Sequence, residues 1–219
     1  MDSIPQTINV SLHVVCGTAA LVLGLVQLFS AKGGEGHRRV GRLFAYLVWT
    51  VVATAASGLV LFEFNAFLAV LTLLVAYWTY SGVRVVHTQA RGPQVRDGVA
   101  SLAGLAAVAG FGYWLPRLQV PWVPAITYST LATLALVALY DLSRFLFPRQ
   151  WHRSLWQYEH IVKMLGSHAA IVSAFSGTVL AVLQPFSQIA PSVVWTLLQL
   201  GFLIQHRRRT RGRRRSAAS

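Results

Sequence analysis

The chain is predicted to be an all-helical, polytopic membrane bundle of about seven spans, on three observations. Apolar runs of membrane-spanning length recur from end to end. Only 11% of the 219 residues are charged, and the mean hydropathy is +0.54. The basic residues gather in alternate connections between the runs. A soluble domain carries roughly a quarter charged residues, so the composition disfavours a water-soluble enzyme of this size. Helices are favoured over strands because the runs are long and lack a ten-residue alternating pattern.

A helix crosses the hydrocarbon core in about 20 residues. The spans are expected at about 9–30, 43–62, 66–87, 98–115, 123–144, 160–183 and 191–206. The stretch before the first holds Asp2 and no Lys or Arg, so it lacks the basic start of a cleaved signal peptide and the first run is a retained span. The second and third are joined by a short turn at Glu63. Small residues one helical turn apart mark contact faces: Ala20 and Gly24 in the first span, Ala106 and Gly110 in the fourth, Gly166, Ala170 and Ala174 in the sixth. Trp114, Trp122, Trp151 and Trp156 flank span ends, where amphipathic rings favour the headgroup region. The seventh is the weakest, with Gln199 at its middle, and it fits a tilted or interfacial helix.

Counting Lys and Arg sets the orientation. One side receives Lys32, Arg38, Arg39 and Arg42, then Arg84, Arg91 and Arg96, then Arg144, Arg149 and Arg153, and the seven arginines between Arg207 and Arg215. The opposite side has only Arg117, and Lys163 lies just inside the sixth span. Seven spans with the N-terminus out and the C-terminus in, within a cytoplasmic (inner) membrane, satisfy this asymmetry throughout. Residues 1–206 then form one transmembrane domain, and 207–219 a basic, disordered cytoplasmic tail.

The formal charge of +13 arises mostly from those connections and the tail. The tail reads as a polybasic segment held on anionic lipid headgroups. No aromatic residue interleaves its arginines, so no nucleic-acid partner is expected. Cys16 is the single cysteine and can form neither an internal disulfide nor a cysteine zinc site.

Ionisable residues inside a membrane are costly and therefore mark candidate sites. Glu63, Asp97, Asp141 and Glu159 all fall within about a turn of an expected interface. Pairing is expected between Asp141 and Arg144 and, at the i, i+4 spacing, between Glu159 and Lys163. With no carboxylate at mid-bilayer, a proton-coupled pump is disfavoured. Of the seven histidines, His13 and His168 lie inside spans. His160, Met164 and His168 recur every fourth residue on one stripe, and imidazole and thioether both ligate haem iron. His168 lies about 12 Å deeper than His160, and His13 about 6 Å from the outer end of its span. That separation suits one flat bis-histidine haem poorly, whereas His87 and His160 match in depth. No other metal site is expected. An intramembrane lysine for a retinal Schiff base is missing from the seventh span, and no H-E-x-x-H, G-x-S-x-G or phosphate-cradling glycine motif occurs.

The first third carries Leu12-His13, Gly17, Ala20-Leu21, Gly24 and Gln27-Leu28, then His37-Arg38, Gly41-Arg42, Tyr46 and Ser57-Gly58. Over about residues 12–85 this resembles a family of bacterial multi-span membrane proteins of unknown function, in which an L-H-x-x-x-G-x-x-A-L helix precedes an H-R-x-x-G-R loop. The resemblance implies architecture rather than activity. It is loosely similar to transmembrane b-type cytochromes, which by analogy adds weight to haem. The loop motif of His37, Arg38, Gly41 and Arg42 has a physical role without that analogy: its arginines sit at the phosphate level and anchor a hairpin.

Three functional classes stay open. One is a haem b electron-transfer protein with His13, His87, His160, His168 and Met164 as candidate ligands, passing electrons between a quinone-like carrier and a redox partner. Another is a small-molecule transporter or channel lined by His13, Ser57, Thr79, His168 and Ser173. The third is a non-catalytic scaffold or lipid-interacting subunit. No catalytic residue is legible.

Overall fold

The computed structural model describes residues 3–117 and 124–216. It contains seven long helices: α1 (Ile4–Phe29), α2 (Glu35–Leu61), α3 (Ala66–Thr88), α4 (Val95–Trp114), α5 (Pro124–Ser143), α6 (Arg149–Val179) and α7 (Phe186–Ser216), with short 3-10 turns between several of them. There are no strands among the described residues. Trp122 lies outside them.

Six of the seven helices are long and apolar enough to cross a membrane, and the exception is α6 rather than α7. The reason is composition. The buried side of α6 carries His152, Glu159, Lys163, Ser167 and His168, whereas Gln199 alone does little to the apolar run of α7.

Helix ends fall outside the apolar runs. α1 starts at Ile4, where the Ser3 hydroxyl accepts from the Gln6 N–H at 3.4 Å and Pro5 occupies the first turn. Its last carbonyls are covered by the Lys32 ammonium, which donates to Gln27 O at 2.5 Å and Leu28 O at 2.9 Å. Gly33, at φ 81°, lets the chain reverse within residues 30–34. α2 then begins at Glu35, an acidic residue suited to a helix N-terminus. His37, Arg38, Gly41 and Arg42 therefore form the first turns of α2 and not a loop. Hydrophobicity locates the hydrocarbon, but helices continue through the headgroup layer, where arginine is a good helix former. The same propagation carries α7 through the arginine segment to Ser216, where a disordered tail was expected.

α3 and α6 form the central pair. α1 and α2 pack together on one flank, α4 and α5 on the other, and α7 lies against α6. Some 61% of the most apolar stretch of α3 is buried, against 11% for α1, so α3 is the axis of the bundle. One core cluster joins Ala20, Phe44, Val48, Phe67, Leu71, Val75, Ala170 and Ile171 across α1, α2, α3 and α6. Another places Leu74 and Tyr77 of α3 against Leu134 and Ala138 of α5. The outer surface is apolar instead of charged, with Val15, Val60, Leu136 and Leu197 all more than half exposed. A soluble protein of this size does not display such a surface, whereas lipid tails cover it at no cost. The chain is thus a helical integral membrane protein.

Close helix contacts depend on glycines. The Met164 sulfur lies against Gly82 of α3, while the Trp78 ring of α3 lies against Gly166 of α6; a Cβ at these glycines would approach within 2.7 Å and 2.9 Å respectively. The two central helices thus interlock reciprocally. Gly24 of α1 receives the His168 ring, where a Cβ would stand 2.3 Å from it. The fourth-helix pair behaves differently from expectation. Ala106 and Gly110 face outward, and nothing lies within 4 Å of a Cβ at Gly110. With Phe64, Ala107, Phe111, Tyr113 and Trp114, Gly110 instead lines an open apolar groove of about 360 Å³ on the lipid-facing surface.

The Gly24 contact gives a direct test. Gly24→Val should destabilise the folded protein by about 1–3 kcal/mol through overpacking on His168. Gly17→Ala, whose Cβ would meet only Val51 at 3.8 Å, should be neutral. Thermal unfolding of both variants in detergent reads the difference.

Candidate functional site

Asp141 near the end of α5 and Lys163 of α6 meet in a direct ion pair inside the bundle, 4% and 2% exposed respectively. The second carboxylate oxygen of Asp141 accepts from the Ser81 hydroxyl and, at 3.1 Å, from the Tyr77 hydroxyl, both on α3. Arg144 lies 3.8 Å from Asp141 and 2.9 Å from Glu159. Glu159 in turn accepts from the Tyr140 hydroxyl at 2.8 Å. Two acids and two bases therefore balance, which is what allows four charges to be buried together.

The network extends sideways. The Tyr77 hydroxyl is paired with Ser101 of α4 at 2.9 Å, and Ser101 donates to the backbone carbonyl of Asp97. Asp97 holds Arg84 of α3 through two contacts, at 2.6 Å and 3.1 Å, while also accepting from the Gln94 N–H as half of a capping box. Helices α3, α4, α5 and α6 are thus tied by one continuous polar path.

Of the two ion pairs expected from the sequence, one forms and one does not. The Asp141–Arg144 pairing occurs, although at 3.8 Å it is the looser contact of Asp141. Glu159 and Lys163 do not pair directly; Arg144 takes Glu159 and Asp141 takes Lys163. Pairing follows which side chains other helices and turns bring together rather than spacing along one helix. Asp97 and Asp141 lie near helix ends and Glu159 lies about three turns into α6, and neighbouring helices bury all three, at most 8% exposed. Tyr77, Ser81 and Arg84 were absent from the candidate set, although their i, i+4, i+7 spacing marks one polar face on an otherwise apolar helix.

The histidines are dispersed. His13 is paired with the Thr54 hydroxyl at 3.0 Å between α1 and α2. His87 is exposed and turns back to Val83 O of its own helix at 2.9 Å. His168 uses both nitrogens: Nε2–H donates to Leu21 O at 3.1 Å, and Nδ1 accepts from the Trp195 indole at 3.0 Å. Phe44 adds an edge contact at 5.9 Å between ring centroids. This ring is a fixed neutral tautomer joining α1, α2, α6 and α7, and it has no lone pair left for iron. Met164 is filled by its contact with Gly82. Of the five residues expected to ligate haem, His13, His87, His160 and His168 each make a hydrogen bond within the bundle, to Thr54, Val83, Gly82 and Leu21 respectively.

One other pairing emerges at the end of the bundle where α1 leads into α2. His160 anchors Nδ1 on Gly82 O at 3.1 Å, and His37 anchors Nδ1 on the Ser30 hydroxyl at 3.2 Å. Among the described residues neither Nε2 has a hydrogen-bond partner. Gln27 steadies the turn by donating to His37 O at 2.7 Å. Lys32 lies above the Phe202 ring at 5.0 Å, and partial burial together with nearby Arg209 lowers its pKa from the usual lysine value.

The expected transporter lining is likewise divided. Thr79 bonds Ser167 at 2.7 Å between α3 and α6, Ser173 bonds Ser192 at 3.0 Å between α6 and α7, and Ser57 returns to Ala53 O of its own helix. Two of these are separate interhelical contacts and the third stays within α2. Among the described residues no group of three or more His, Cys, Asp or Glu side chains is placed to hold a metal ion.

No family model, curated protein or solved structure matches the chain at a significant level.

Breaking one half of the central pair should cost more than removing both. Lys163→Met leaves Asp141 uncompensated and should lose about 3–5 kcal/mol, while Lys163→Met with Asp141→Leu should recover most of it. Denaturant unfolding of the wild type, both single variants and the double variant measures the coupling.

Proposed function

We propose that the chain is a small-molecule transporter of the cytoplasmic membrane in which the buried ionic network couples protonation to helix movement. The N-terminus lies outside and the C-terminus inside. That orientation is supported by the arginines, which flank the same helix ends as Arg84, Arg144 and the start of α6. The network then occupies the cytoplasmic half, and the arginine-rich end of α7 rests on anionic headgroups.

The observation that carries this reading is Lys163, buried between Asp141 and its partners on the most polar helix of the bundle. Apolar packing would hold four helices together equally well, so a scaffold has no need of four buried charges. Protonating Asp141 or Glu159 would leave a cation unmatched and favour a different arrangement of α5 and α6. The flanking pairs α1–α2 and α4–α5, on opposite sides of α3 and α6, provide two bodies that can move relative to one another.

Purified protein in vesicles with a trapped pH dye should admit protons under a valinomycin-set potential faster than protein-free vesicles. Asp141→Asn and Lys163→Met should each return the rate to the protein-free level. A wild-type rate equal to that of empty vesicles would remove the transport reading.

A redox reading retains one observation, the two unpartnered Nε2 atoms of His37 and His160, since metal-ligating imidazoles are commonly anchored through their other nitrogen. Haem, accepting electrons from a quinone-like carrier, would have to use that pair instead of His13, His87 or His168. Protein expressed with haem supplied and purified in mild detergent should lack a Soret band that shifts on dithionite reduction. If such a band is present and is lost in His160→Ala, electron transfer replaces transport as the better reading.

A further inference from the structure

Among the described residues, three polar atoms along the first half of α6 and the turn before it are buried without a hydrogen-bond partner: Nδ1 of His152, Oε2 of Glu159 and Nη2 of Arg144. Their residues are 4%, 5% and 3% exposed. Stranded polar atoms normally cost about 1–3 kcal/mol each, so three in one neighbourhood are not incidental packing. His152 and Glu159 are two helical turns apart on one face of α6, and Arg144 joins them from the turn after α5. Arg144 and Glu159 are the charged groups that act on the imidazole. The ring is stacked on Phe147, with centroids 6.3 Å apart, and Phe147 also touches Tyr140, the hydroxyl donor to Glu159.

The cover over His152 is thin. The turn at Gln89–Arg91 ends in Gly92, which lies directly on the ring: a Cβ there would stand 2.8 Å from it, and the backbone has φ 77°. Glycine is required on both counts. Gln89, Ala90 and Arg91 of that turn are exposed, as are Trp151 and Arg153 on either side of His152. The Arg91 guanidinium is directed back to His87 O at 3.3 Å. His152 thus sits one backbone layer beneath the surface, between solvent and the network.

We infer that His152 is the group through which the buried network exchanges protons with the cytoplasm. Histidine is the side chain whose unperturbed titration falls near neutral pH. His152 Nδ1 and Glu159 Oε2 are not hydrogen-bonded to each other at rest, so the transfer step needs the two groups to be brought together; Nδ1–H of the imidazolium then gives its proton to Oε2 of Glu159. The imidazole becomes neutral, Glu159 becomes a neutral acid, and Arg144 keeps its charge facing Asp141 alone. Uptake of a proton from the cytoplasm restores the imidazolium. This deepens the transport reading and rests on it for its consequence, but the exchange itself is measurable without any flux.

Two measurements test it together. In the vesicle assay, His152→Gln should slow proton entry by about a hundredfold, the lower range for a positioned proton-transfer group, while exposed His87→Gln leaves the rate unchanged. In lipid nanodiscs, nitrogen-15 spectra of histidine-labelled protein should include a His152 signal that titrates with pH and whose midpoint moves in Glu159→Gln. A His152 signal constant with pH, or one indifferent to Glu159→Gln, overturns the proposal whatever the flux. Normal flux in His152→Gln with loss in Asp141→Asn overturns it while leaving transport intact. Absence of wild-type flux removes the transport reading, and the coupled titration alone then decides whether His152 serves the network.

Discussion

The contact between Asp141 and Lys163 is the constraint on which the rest of the bundle depends. Lys163 is on a central helix and cannot reach water, so a carboxylate must be delivered to it from a neighbour. That requirement ties the end of α5 to α6 at one height, although α5 itself packs on α3 and α4. The remaining oxygen of Asp141 requires donors in turn, and Ser81 and Tyr77 place α3 at the same level. Arg144 then brings in Glu159, and Ser101 extends the path to α4. Each partner is explained by the need of the one before it.

The opposite side of the central pair is organised without charge. His168 forms neutral hydrogen bonds to α1 and α7, and its fit depends on the missing side chain of Gly24. Reciprocal seating of Met164 on Gly82 and Trp78 on Gly166 keeps α3 and α6 in register between the two regions. Within a membrane, where burial of apolar surface between helices has little driving force, close steric fit and specific polar pairs are the means left to define one packing. This protein uses both, on different flanks of the same two helices.

Much of this was legible in the sequence, and the misreadings have a common cause. Run length and hydropathy locate six helices well, because crossing hydrocarbon is a local demand. Helix ends were misplaced at His37 and Arg149 because charge marks the edge of the lipid core and not the end of the helix. Partners were harder. His168 was recognisable as an intramembrane histidine, but its acceptor Leu21 is 147 positions away and its donor Trp195 is 27 away. Spacing along one helix therefore suggested Glu159 for Lys163, when a residue on α5 takes that place. The role of His152 was hidden for the same reason, since what covers it is a turn far earlier in the chain.

The polarity of α6 has a consequence for how the chain enters the membrane. A lysine near the centre of a helix costs about 2.5–3.5 kcal/mol on insertion, and α6 adds Glu159 and three histidines to that burden. Its balancing aspartate belongs to α5, the helix synthesised immediately before it, and its interlocking partner α3 emerges earlier still. α6 therefore meets a prepared polar surface as it leaves the ribosome and need not partition into lipid unaided. The order of the helices in the gene is part of what makes so polar a segment insertable.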